Sequence, residues 1–237
     1  MICDKTTVER RDASGETLDM NLRDDAASRS FAAEFLACLN RNDIGTGSTA
    51  SDPIRVLDVG TGTARIPITI CQRQGGIACT AVDRAARALE TARRNVLQAG
   101  LSRAIHIVQA EAASLPCESA SFDAVISGSL LHHVSNRLGV LQEMQRVLRP
   151  GGLLFIRDTI RGSDAGQIAR ILSRGSGSSP GTQQIGFTRT VHAMLSVDEA
   201  RRLALAAGLP AKCVRQAGPR HWVLEFKLNR ELADVVV

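Results

Sequence analysis

The sequence predicts an α/β fold: a doubly wound, mostly parallel sheet with helices on both faces. Three observations carry this. First, a short apolar run rises from Ile54, reaches Asp58 and passes directly into Gly60-Thr61-Gly62, which reads as a buried strand turning tightly into a helix. Second, from there to Arg157 short apolar runs alternate with stretches of helical apolar spacing, the rhythm of strand–helix–strand units with right-handed crossovers. Third, polar residues stand where successive runs end, at Asp58, Asp83, Glu111 and Ser127. In such a sheet these ends share one edge, where ligands bind.

Taken in order, residues 1–22 are polar and irregular, and Asp24 or Asp25 is placed to cap a helix whose apolar face is Phe31, Phe35, Leu36 and Leu39. Residues 40–52, with Gly45 and Gly47, form a connection, so 1–53 reads as an N-terminal helical extension and 54–237 as the main domain. The first core helix spans Ala64–Gln74, with Pro67 near its first turn, where proline is tolerated. Ile77–Val82 is the second strand. Ala85–Ala99 is a helix burying Leu89, Ala92, Val96 and Leu97 and stopped by Gly100. Ile105–Gln109 and Phe122–Ser127 are the third and fourth strands. A helix at Asn136–Leu148 is stopped by Pro150-Gly151-Gly152, and Leu153–Arg157 is the fifth strand. Residues 162–186 are rich in glycine and serine around a short helical stretch at 167–174, and read as a loop insertion able to act as a lid. Ser196 and Glu199 have capping-box spacing and Gly208 closes that helix. Lys212–Gln216 and Trp222–Leu228, joined through Gly218-Pro219, read as a final hairpin.

Composition narrows the function. Apolar residues make up 44% and charged residues 22% of the 237, as in ordinary globular proteins. No apolar run approaches the roughly 18 residues of a membrane span, and the N-terminus has no apolar leader segment, so a cytoplasmic protein is expected. The formal charge of +5 is almost all arginine, scattered over helices, and there is no tyrosine. Nucleic-acid binding would call for a clustered patch with stacking rings, so a nucleic-acid partner is not expected. No two of the six cysteines stand in a C-x-x-C relation, and no metal site is expected. Oligomeric state is left open, a homodimer included.

Asp58-x-Gly60-x-Gly62 has too few glycines for a dinucleotide fingerprint, which requires one where Arg65 stands. Val56–Ala64, Asp83, Glu111 with Leu115-Pro116, Phe122-Asp123-Ala124-Val125 and Arg146–Gly152 together, in this order, resemble the motif set of small-molecule class I S-adenosylmethionine (SAM)-dependent methyltransferases, of quinone-biosynthesis type. Ala64 stands where that family often has glycine, and Glu111 where it more often has aspartate. The resemblance implies seven strands in the order 3-2-1-4-5-7-6, the last antiparallel to the rest. It also implies SAM as cofactor and S-adenosylhomocysteine (SAH) as product. Asp58, Gly60, Thr61 and Gly62 would hold the methionine part, Asp83 with Arg84 the ribose, Glu111 with Ala112 the adenine, and Ser127 would border the same site.

Residues after the fourth and fifth strands face the acceptor in that family. His133 is the first candidate for a catalytic base, with His132 and Asp158 beside it, because neutral imidazole is available near physiological pH. Arg157, His192, His221 and Trp222 are the candidates for contact with a small-molecule acceptor, methylated at oxygen or carbon. The amine-methylating signature of Asn or Asp, Pro, Pro and an aromatic is absent from Ser127-Gly128-Ser129-Leu130. The alternatives are a SAM-binding protein without catalysis, an NAD-linked oxidoreductase and an RNA methyltransferase.

Overall fold

The computed structural model describes residues 17–45, 52–161 and 193–228. The elements are α1 Thr17–Arg41, β1 Ile54–Val59, α2 Arg65–Arg73, β2 Ile77–Asp83, α3 Ala86–Gln98, β3 Ile105–Gln109 and β4 Phe122–Gly128. They continue with a 3-10 turn at Leu131–His133, α4 Arg137–Val147, β5 Leu148–Thr159, α5 Val197–Ala206, β6 Val214–Ala217 and β7 His221–Lys227. The strands form one sheet in the order β3-β2-β1-β4-β5-β7-β6. β1 to β5 run parallel, while β7 runs antiparallel to both β5 and β6. Both the expected order and the antiparallel last strand are observed.

The sheet is covered on both faces, and side-chain alternation sorts the residues between them. Leu57, Val59, Val125, Leu154, Ile156 and Trp222 pack with Leu141, Met144, Ala200 and Ala204 of α4 and α5. Val56, Ala124, Ile126 and Phe155 pack on the other face with Phe31, Phe35 and Leu39 of α1 and Ile70 of α2. Phe155 meets Phe31 edge-on, with ring centroids 5.2 Å apart at 83°. A phenylalanine-to-alanine change in such a cluster costs about 3–5 kcal/mol.

Leu97, expected on the buried side of α3, is 70% exposed, because it follows Val96 directly and so points off the face that Leu89, Ala92 and Val96 share. Several expected bounds also move. The first helix begins at Thr17, so Asp24 and Asp25 lie inside it rather than capping it. No proline or glycine interrupts 17–23, so the helix takes in that stretch. Ala64 precedes α2 in left-handed geometry (φ 62°) instead of joining it. β5 starts at Leu148 and takes in Pro150-Gly151-Gly152, because Gly151 N–H donates to Leu228 O at 2.7 Å and Leu228 N–H to Gly152 O at 2.9 Å. The glycines therefore end α4 and also pair with the chain beyond β7. Residues 211–213 form a 3-10 turn, so β6 begins only at Val214. Residues 1–16, the insertion at 162–186 and His192 lie outside the described residues.

Candidate functional site

The carboxyl ends of β1, β2 and β4 and the start of β7 bring the polar residues named above to one edge. Its centre is the turn after β1. Gly60 N–H and Thr61 N–H both donate to Val82 O, at 2.8 and 2.9 Å, so the turn is pinned to the end of β2. Gly60 has φ +80°, and a Cβ there would come within 2.9–3.1 Å of the Leu130 side chain. Only glycine meets both demands. Gly62, at φ +55°, faces open space. Two non-glycine residues beside it, Ala64 and Ser129, are also left-handed (φ 62° and 59°). Such geometry costs about 1–2 kcal/mol per residue and gathers at functional sites.

Asp83 organises the loop from the side. Its Oδ2 accepts Gly62 N–H and its Oδ1 accepts Ala85 N–H, both at 2.9 Å. A carboxylate has about four acceptor positions, so the two bonds leave capacity for hydroxyl donors of a ligand. Arg84, next in sequence, is exposed at the same strand end. Glu111 is exposed after β3 and paired in a short bridge with Ser114, and Ala112 is half-buried beside it.

Asp58 is the anomaly of the site. It is fully buried, and neither carboxylate oxygen has a hydrogen-bond partner among the described residues. Burial pushes its pKa up to about 7. The neighbouring Thr61 hydroxyl opposes that shift, without meeting hydrogen-bond geometry, and the charge of Asp83 adds to it. An uncompensated buried carboxylate is costly, and a cationic group supplied by a ligand would relieve it.

The second part of the site is the 3-10 turn after β4. His132 is buried, with Nδ1 2.5 Å from Asp158 Oδ1. His133 is exposed, and its ring centroid lies 4.0 Å from that of His132. Partial burial holds the His133 pKa below the ordinary histidine value; His132 and Arg84 add to this while Asp158 and Asp83 oppose it. Leu130 of this turn lies against Gly60, so the turn after β4 and the turn after β1 are neighbours. Arg137, which the sequence did not mark, holds this turn: its Nε donates to Leu131 O at 2.9 Å and its Nη2 to Ala193 O at 2.6 Å. Leu130, the residue over Gly60, was equally unmarked, because no sequence spacing signals either contact.

Three expected site residues take other roles. Ser127 is fully buried and its Oγ donates to Val59 O at 2.8 Å, which ties β4 to β1, so its hydroxyl is not presented to a ligand. Arg157 is turned into the α1 interface rather than toward an acceptor. It donates to Ser30 Oγ at 3.1 Å and Ala27 O at 2.8 Å, and its guanidinium lies 5.1 Å from the Phe31 ring centroid. Trp222 is a core residue, 1% exposed, opposite Asp158 in the β5–β7 register. A large ring packed into the apolar core is worth more as buried area than as a surface contact. His221 is half-buried at the correct edge; burial, Arg157 and Arg220 lower its pKa against Asp158 and Glu34. A cavity of about 360 Å³ lies between α1, α2 and α3, lined by Arg29, Arg65, Thr69, Arg73, Asn95 and Gln98. Among the described residues no cluster of three His, Cys, Asp or Glu side chains could hold a metal, and no helix is long and apolar enough to cross a membrane.

Comparison with known proteins agrees with this geometry. Residues 57–156, from β1 to β5, match the family described as a methyltransferase domain. The chain is 36% identical over 103 residues to the ubiquinone/menaquinone biosynthesis C-methyltransferase UbiE of Coxiella burnetii, covering 43% of this chain and 41% of that one. It is 36% identical over 102 residues to a ubiquinone biosynthesis O-methyltransferase of Methylocella silvestris, covering 43% and 38%. The match therefore spans about two-fifths of the length of these relatives. In structure, a SAM-dependent methyltransferase from Aquifex aeolicus superposes with a TM-score of 0.61 at 19% identity, over 90% of this chain and 97% of that one. The plantazolicin methyltransferase BamL, solved with SAH, gives 0.60 at 15% over 81% and 66%. The likeness of fold to these two structures covers 90% and 81% of this chain, more than the stretch 57–156.

Proposed function

We propose that this chain is a SAM-dependent methyltransferase that methylates a small-molecule acceptor at oxygen or carbon. The observation that carries the reading is Asp58, a buried carboxylate without a hydrogen-bond partner among the described residues, beneath a glycine turn that opens onto free space at Gly62. The residues fit SAM. Asp58 offers a negative charge to the ammonium of a methionine moiety, and Gly60, Thr61 and Gly62 let backbone approach it closely. Asp83, already fixed by two amide donors, has lone pairs left for ribose hydroxyls, with Arg84 alongside. Glu111 and the Ala112 amide stand at the third strand end for an adenine edge.

SAM supplies, when bound, a methyl group already activated on a sulfonium. The chain's own work is then to align an acceptor, exclude water and manage one proton. His133, His132 and Asp158 stand where that proton would be handled, and His221 borders the same edge. The relatives named above act at carbon in one case and oxygen in the other, which supports both acceptor atoms for this chain.

Calorimetric titration with SAM and SAH tests the proposal. Both should bind, and Asp83→Ala should weaken binding more than tenfold in a folded sample. Failure of wild-type protein to bind either ligand would refute it. Binding without transfer to any acceptor would support the non-catalytic alternative instead.

A further inference from the structure

The two histidines of the turn after β4 are adjacent in sequence but chemically unlike. Both oxygens of the buried Asp158 accept backbone amides: Leu131 N–H on Oδ2 at 2.7 Å and Thr159 N–H on Oδ1 at 2.6 Å. The same Oδ1 meets His132 Nδ1 at 2.5 Å. Amides only donate, so the carboxylate is held as an acceptor in one fixed plane, and the proton it shares with the ring belongs on Nδ1. That leaves the lone pair of His132 on Nε2, which has no hydrogen-bond partner among the described residues. Arg137 fixes the carbonyl of Leu131, and Leu130 packs over Gly60, so the ring is carried on a turn braced from both sides. His133 has no such anchor for its ring and remains exposed.

We propose that His132, not His133, is the catalytic base, that Asp158 is its positioning residue, and that the acceptor is a neutral phenol or alcohol methylated at its own oxygen. This deepens the methyltransferase reading and rests on it. A phenol with a pKa of about 10 is only about 0.1% ionised at pH 7, so a hydroxyl nucleophile gains most from a base. The O–H bond breaks as oxygen attacks: the proton passes to Nε2, and the oxygen pair forms the new O–CH3 bond. Sulfur keeps the pair of the broken S–CH3 bond, leaving the neutral thioether. The imidazolium formed lies against Asp158. Methylation of a ring carbon involves protons at two separated atoms, whereas methylation at oxygen removes one proton from the nucleophilic atom itself. A fixed imidazole with one free nitrogen matches the second case.

The test has two readouts on the full chain. Histidine nitrogen NMR at pH 8, with SAH bound, should show His132 as the Nδ1–H tautomer with a bare Nε2, and Asp158→Asn should change that tautomer. A bare Nδ1 in wild type, or a tautomer indifferent to Asp158→Asn, overturns the assignment. Methyl transfer is then measured to catechol, 3,4-dihydroxybenzoate and hydroquinone. His132→Asn, which keeps an amide donor toward Asp158, should lower kcat about 10²–10⁴-fold with SAH affinity within twofold of wild type; His133→Asn should cost far less. Equal losses for the two variants, products methylated at carbon, or no transfer to any hydroxyl by SAH-binding wild type each overturn the proposal. Loss of SAH binding by wild type instead removes the methyltransferase reading beneath it.

Discussion

Replacing Asp58 with asparagine should make the ligand-free protein more stable at pH 8 and a worse binder of SAH. The argument starts from burial, which raises the carboxyl from an ordinary 3.8 to about 7. Because the folded state holds this proton more tightly than the unfolded chain, stability falls as pH rises from about 4 to about 7 and is level above. A shift of some three units corresponds to at most about 4 kcal/mol. Asparagine keeps the shape and removes the charge, so it escapes this penalty, less the cost of burying its own amide donors. SAH binding has the opposite dependence. Its ammonium selects the ionised carboxylate, whose share in the free protein rises from about 9% at pH 6 to about 76% at pH 7.5 for a pKa near 7. Affinity should therefore rise about eightfold over that interval, with proton release visible as a buffer-dependent calorimetric enthalpy. Urea melts of wild type and Asp58→Asn at pH 5 and 8, with SAH titrations at pH 6 and 7.5, provide the measurements. A variant less stable than wild type at pH 8, or one retaining both affinity and pH slope, would refute the reasoning.

Gly60→Ala should lower stability by about 1–3 kcal/mol, because its Cβ meets Leu130 and its φ is positive, and SAH titration should show weaker binding in parallel. Ser127→Ala should cost about 1 kcal/mol by leaving Val59 O unpaired, while SAH affinity stays within twofold; a large loss of affinity would restore the hydroxyl to the ligand site. Arg157→Met should destabilise the fold by about 1–3 kcal/mol through the lost bonds to Ser30 and Ala27, and limited proteolysis should cut α1 sooner. The Ser196 amide and then Arg161 hold Glu199 near a pKa of about 2. Its contribution is complete above about pH 4.5 and is lost as pH falls toward 2, so Glu199→Gln should flatten the acid limb of the melting curve.

The parallel core was legible because each strand was a dense apolar run ended by a polar residue or glycine, as at Val59-Gly60 and Val82-Asp83. Asp58 and Asp83 were legible for the same reason: strand ends fix which edge they reach. The residues misread were those whose environment depends on a distant partner. Arg157 has the look of a ligand residue until Ala27 and Ser30, far back in sequence, are seen to occupy it. Ser127 lies one residue short of the strand end, which turns its hydroxyl into the sheet. The unequal standing of His132 and His133 also depended on Asp158, a strand away, and no local pattern separates two neighbouring histidines.

The docking of Phe31 and Phe35 against Phe155 has a consequence for synthesis of the chain. The helix that carries the first two rings leaves the ribosome early, and its partner strand is among the last of the parallel set. Roughly 120 residues must follow before the contact can form, an interval of about 6–24 s at ordinary elongation rates. Through that time an apolar helical face waits without its acceptor surface. Nascent chains stalled between α4 and β5 should therefore be captured by holdase chaperones, and those extended through β5 should be released.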